Sequence, residues 1–122
     1  KQARITFAKI CYDAAKYDLS YEYYKEALEI FERDALMENL LLASMGQVCL
    51  AKNDYKQAEK YFLEIEEGKS SLMKDDARYA LAMIYAAEKR EGDSQKMYEK
   101  IVSESEASLY RPIAQDKLAQ MK

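Results

Sequence analysis

Apolar side chains recur along this chain at three- and four-residue intervals, interrupted by short polar breaks, and this pattern predicts helices throughout. A first helix spans Lys1 to Lys16, with Ile5, Phe7, Ala8, Cys11, Tyr12 and Ala15 at near-helical spacing. Tyr17-Asp18 breaks it, with Asp18 or Ser20 as the N-cap of a second helix running to about Arg33. That helix carries Tyr24, Ala27, Leu28 and Phe31 on its inner face. The central pair covers Ala35 to Lys52 and Asp54 to Glu66, with Asp54 as cap. Gly68-Lys69-Ser70-Ser71 ends it, and a fifth helix follows from Leu72 to Lys89. Gly92-Asp93 reads as a turn, and a sixth helix continues from Asp93 to about Ser105. The last helix covers about Leu109 to Met121, with Pro112 in its first turn, where a missing N–H costs nothing.

The pattern repeats. Cys11, Cys49 and Tyr85 are separated by 38 and 36 residues, and so are Tyr24, Phe62 and Tyr98 on the partner helices. Small residues recur as well: Ala8, Gly46 and Ala82 on the first helices, and Ser20, Ala58 and Ser94 on the second. Small side chains suit points where two helices cross closely. The stretch LASMGQVCLAKNDYKQAEKYF, Leu42 to Phe62, carries the spacing most clearly: Leu42-x2-Met45-Gly46-x2-Cys49, then Ala58-x3-Phe62. It resembles the tetratricopeptide repeat, whose signature is a large residue, Leu-Gly, an aromatic, then Ala-x3-Phe. Cys49 stands where the family usually has Tyr, both periods exceed the family's usual length, and the proline that ends each repeat is absent.

The resemblance implies an all-α fold: a right-handed α-solenoid of three helix hairpins with a C-terminal capping helix. The whole of 1–122 reads as one domain, with pairs at about 1–33, 35–67 and 72–105 and the cap at about 109–121. Ile113, Ala114, Leu118 and Met121 give the cap an apolar side.

Composition narrows the function. There is no His, which removes imidazole acid–base chemistry and imidazole metal sites. Gly46, Gly68 and Gly92 are isolated, so no phosphate-cradling loop occurs. The carboxylates of Glu66-Glu67, Asp75-Asp76 and Glu104/Glu106 read as helix ends and solvated faces rather than a paired-acid site. No enzyme activity, cofactor or metal is expected. A net charge of −3 argues against nucleic acid, which needs a concentrated basic surface. No apolar run is long enough for direct membrane insertion by this segment. Cys11 and Cys49 occupy like positions in successive repeats, about 8–10 Å apart when repeats stack, too far for a disulfide. They read as buried free thiols, which leans towards a reducing compartment.

In the family, the first helix of each hairpin lines a concave groove that holds ligands. Carried over by residue, the groove comprises Ile5, Lys9, Tyr12 and Asp13, then Ala43, Gln47, Leu50 and Ala51, then Asp76, Tyr79, Met83, Ala86 and Ala87. Members that clamp a peptide carboxylate use Lys, Arg and Asn there. This chain has Ile5, Ser44, Gln47, Tyr79 and Ala80 near those slots, with only Lys9 basic, which argues against such a clamp. The expected function is a non-enzymatic scaffold or adaptor that binds a hydrophobic peptide or amphipathic helix in this groove. The alternative is a structural oligomerisation module whose groove is filled by an upstream helix or a symmetry mate, giving a homo-oligomer.

The terminal stretch Leu109-Tyr110-Arg111-Pro112-Ile113-Ala114, running into Lys117-Leu118-Ala119, resembles the end of membrane-anchored bacterial repeat proteins that assist the Sec translocon. That likeness implies an upstream membrane helix and a periplasmic address, against a cytoplasmic one without it. The chain begins at Lys1 rather than Met, so a fragment or a processed product is expected, which leaves room for an upstream signal or anchor.

Overall fold

The structure is a computed structural model that describes residues 2–104 and 108–121. Among them every regular element is an α-helix: α1 (Gln2–Asp13), α2 (Tyr17–Ile30), α3 (Ala35–Ala51), α4 (Tyr55–Glu67), α5 (Lys74–Ala87), α6 (Glu91–Glu104) and α7 (Arg111–Gln120). The expected ends at Lys1 and Ser105 lie outside the described residues. The chain forms two compact units, Lys1–Leu72 with two hairpins and Met73–Lys122 with the third hairpin and α7.

All three hairpins turn in the same way. The N–H groups of Lys16, Asp54 and Arg90 donate to the carbonyls of Cys11, Cys49 and Tyr85 at 2.8, 2.8 and 2.7 Å. One residue earlier, Ala15, Asn53 and Lys89 donate to Tyr12, Leu50 and Ala86 at 3.0, 2.9 and 3.0 Å. This pair of bonds satisfies carbonyls that a helix end leaves unmatched, and it requires a left-handed residue between them. Ala15, Asn53 and Lys89 take that conformation, with φ of 61°, 60° and 62°. The turn therefore repeats at the 38- and 36-residue spacing without a glycine in any copy.

That geometry corrects two expectations. Gly92 lies inside α6 rather than in a turn, because the helix restarts at Glu91, directly after the closing bond at Arg90. The second helix is capped by neither Asp18 nor Ser20: its N-cap is Lys16, and Asp18 sits in the first turn, where a carboxylate complements the helix dipole. Asp54 does cap α4, accepting from the Gln57 N–H at 3.2 Å. Lys89 bears the cost of a left-handed backbone without the local side-chain hydrogen bond that makes Asn tolerable there. Lys89→Gly should raise stability by about 0.5–1 kcal/mol in a urea titration, with a smaller gain for Asn53→Gly.

The small residues sit at the helix crossings. The Ser20 hydroxyl donates to the Ala8 carbonyl at 2.7 Å, and the Ser94 hydroxyl to the Ala82 carbonyl at 2.8 Å, all four residues being buried. In the central hairpin Gly46 and Ala58 hold the same places, and the buried Phe62 ring lies against the bare Gly46 backbone. Within the first unit α2 also packs on α3. The Tyr21 and Tyr61 hydroxyls are hydrogen-bonded to one another, and Lys52 pairs with Asp18. In the second unit Ala82, Tyr98, Ile101 and Ala114 form a buried cluster, with Tyr79, Tyr110, Leu118 and Met121 packed around it. α7 thus covers the third hairpin with the apolar side expected of it, and Pro112 lies in its first turn.

Phe7 departs from expectation. It shares the near-helical apolar spacing of α1 with Ala8 and Cys11, yet it is half exposed. Ala8 and Cys11 face the hairpin core, and Phe7 turns away from them to meet the Tyr23 ring at 5.6 Å.

Candidate functional site

Ile5, Lys9 and Tyr12 are spaced by four and three residues, as are Ala43, Gln47 and Leu50, so each set lies along one side of its helix. In the first unit, Lys9 and Gln47 are exposed and polar, while Tyr12, Ala43 and Leu50 are half-buried. Ile5 is only 9% exposed and belongs to the core, leaving little surface for a ligand. The Tyr12 ring stands edge-on to Tyr17 at 5.5 Å, which holds it beside the turn. The face thus combines a polar crest with an apolar flank.

The second unit carries the remaining residues in a different setting. Tyr79 is stacked on Tyr110 at 4.9 Å and meets Tyr98 edge-on at 6.4 Å. The Tyr110 hydroxyl donates to the Asp76 carboxylate at 2.7 Å. That bond, helped by burial, pushes the Tyr110 phenol up to about 12. The segment leading into α7 therefore covers two positions assigned to the groove, Asp76 and Tyr79. Met83, one turn on from Tyr79, is 52% exposed and remains accessible. Tyr110 was legible only as part of the terminal motif; nothing in the helical period links it to Tyr79, thirty-one residues away.

Chemistry elsewhere is quiet. Both cysteines are free and buried, and burial pushes the Cys49 thiol up, with Asp54 adding to the effect, so little reactive thiolate forms. Arg78 is buried and paired with Glu104 at 2.9 Å and with Asp75 at 3.6 Å, a structural tie across the third hairpin. Glu66, expected on a solvated helix end, is instead buried. Glu106 lies outside the described residues.

Three helical hairpins with one turn geometry, spaced by 38 and 36 residues, define an all-α helical-repeat protein. The sequence profile of the tetratricopeptide repeat matches residues 41–71 and 75–108, more than half of the chain, and the chain belongs to that family. The first hairpin lies outside the matched residues, yet it carries the same turn and the same Ser–carbonyl crossing bond as the third. No curated protein matches the chain in sequence. Domains of this family generally mediate protein–protein interaction and scaffolding, and are typically non-enzymatic. No described helix is long and apolar enough to cross a membrane.

Proposed function

We propose that this chain is an adaptor that holds a hydrophobic peptide or an amphipathic helix along the first helices of its hairpins. The observation that carries this reading is the paired character of the α1 and α3 faces. Tyr12, Ala43 and Leu50 are half-buried beside exposed Lys9 and Gln47. A ligand helix would lay its apolar side on the first three and its polar edge on the last two. With Lys9 the only basic residue among these positions, apolar contact rather than carboxylate capture would supply the affinity.

A photoreactive residue at Gln47 or Leu50 should crosslink a polypeptide, while the same group at Lys56, exposed on α4, should not. Equal capture from all three positions would defeat the reading, since it would mean non-specific contact. The resemblance of Leu109–Ala119 to Sec-associated proteins suggests one class of partner, polypeptides emerging at a membrane, and the same crosslinks would test it.

A further inference from the structure

The first unit contains two copies of one face in opposite states. On α3, Leu41, Met45 and Val48 are buried at 2%, 1% and 0% exposure. α2 packs on α3, and this packing is anchored by the Tyr21–Tyr61 hydrogen bond and the Asp18–Lys52 pair. The repeat spacing of 38 residues maps those three positions onto Ala3, Phe7 and Ile10 of α1, and Tyr61 onto Tyr23 of α2. There Ala3 is exposed, and Phe7 and Ile10 are 49% and 58% exposed. Leu19 and Ile30, four residues before and seven after Tyr23, continue the apolar strip along α2 and are also exposed. This strip is a helix seat of the kind that α2 fills on α3, repeated one hairpin earlier.

Charge describes the occupant. Glu22, Glu26 and Glu29 run down α2 beside the strip at four- and three-residue spacing, and all three are exposed. Arg4 pairs with Glu26 at 2.9 Å, and Lys25 stands among the three carboxylates, which leaves this flank net acidic. We propose that the face formed by Phe7, Ile10, Leu19, Tyr23 and Ile30 docks one amphipathic α-helix with a basic flank, seated against the first hairpin as α2 is seated against α3. This surface is separate from the proposed groove: two residues along a helix is more than half a turn, which puts Lys9 on the other side of α1 from Phe7.

The test uses a synthetic Leu/Lys amphipathic helix and its Leu/Glu counterpart, each titrated into the isotopically labelled chain and followed by amide chemical shifts. The Leu/Lys peptide should saturate at one per chain, with shifts concentrated at Phe7, Ile10 and Tyr23. The Leu/Glu peptide should bind about tenfold more weakly, and added salt should narrow the difference. Phe7→Asp with Ile10→Asp should abolish saturable binding while the chain stays folded by circular dichroism, the lost Phe7–Tyr23 contact lowering the melting temperature only modestly. Glu22→Lys with Glu29→Lys should reverse the preference between the peptides while leaving the fold intact. Equal binding of the two peptides, or no saturation, would overturn the proposal. So would shifts centred on Lys9 and Gln47, which would move the peptide to the groove. A concentration-dependent dimer in sedimentation that Phe7→Asp dissolves would also overturn it, because a second copy would then be the occupant.

Discussion

Gly46→Leu should unfold this protein far more readily than any exchange on its surface. A Cβ built at Gly46 would lie 2.6 Å from both Cε2 and Cζ of Phe62, inside any tolerable carbon–carbon contact. Phe62 cannot step aside, because it is 1% exposed and enclosed in the first unit. Leucine brings four carbons into that space, so the cost should reach about 3 kcal/mol, the upper end of overpacking. A loss of that size lowers the thermal midpoint of a chain of this length by roughly 10 °C. Lys56→Ala, on the exposed side of α4, should stay within about 0.5 kcal/mol of the parent. Gly46→Ala combined with Phe62→Leu should be less harmful than the two single changes added together, with a coupling of about 1 kcal/mol. Equal melting temperatures for Gly46→Leu and Lys56→Ala would show that α3 and α4 do not cross at this glycine.

Stability should also collapse steeply in alkali. Burial pushes the phenols of Tyr24, Tyr61 and Tyr98 above the usual tyrosine value, and the bond to Asp76 pushes Tyr110 up to about 12. The Ser44 hydroxyl beside it partly offsets the effect at Tyr24. The folded protein thus keeps protons that the unfolded chain gives up near pH 10. Below that pH the two states bind these protons equally, and the full stability is present. As pH rises from about 10 through the folded values, the unfolded chain binds fewer protons and stability falls. Each buried phenol that stays protonated in the fold while the unfolded chain has ionised adds to the steepness of that fall. Tyr98→Phe removes one of these groups and should make the fall in stability shallower. Urea titrations between neutral pH and strong alkali measure both slopes. Identical slopes for the parent and Tyr98→Phe would mean that the Tyr98 hydroxyl reaches water in the fold.

Much of this architecture was legible in the residues themselves. Helical periodicity located every helix, because which side chains can share a face depends only on local geometry. The recurrence of Ala8, Gly46 and Ala82 opposite Ser20, Ala58 and Ser94 located the crossings, because only small residues let two backbones approach that closely. Asp54 as a cap and Pro112 in a first turn followed from local hydrogen-bonding chemistry. The turns were harder to read. Of the three left-handed hairpin-turn positions only Asn53 has a side chain that favours the conformation, and Gly92, three residues past Lys89, is the stronger local turn signal.

The candidate groove was legible as a set of positions but not as a surface. The period places Ile5, Tyr12 and Tyr79 on one side of their helices. It cannot tell that Ile5 sinks into the core, that Tyr12 leans on Tyr17, or that Tyr110 covers Tyr79.

The sequence by itself determined which segments are helical, how they pair into hairpins and where each pair crosses, because local periods and side-chain size decide those matters. Only the tertiary structure decided which apolar stripes are covered. Met45 and Phe7 hold the same place in successive repeats, and one is buried while the other is half exposed. Burial belongs to the neighbour that arrives, not to the residue that waits: α2 lies against α3, and the described chain brings no helix of that kind to α1.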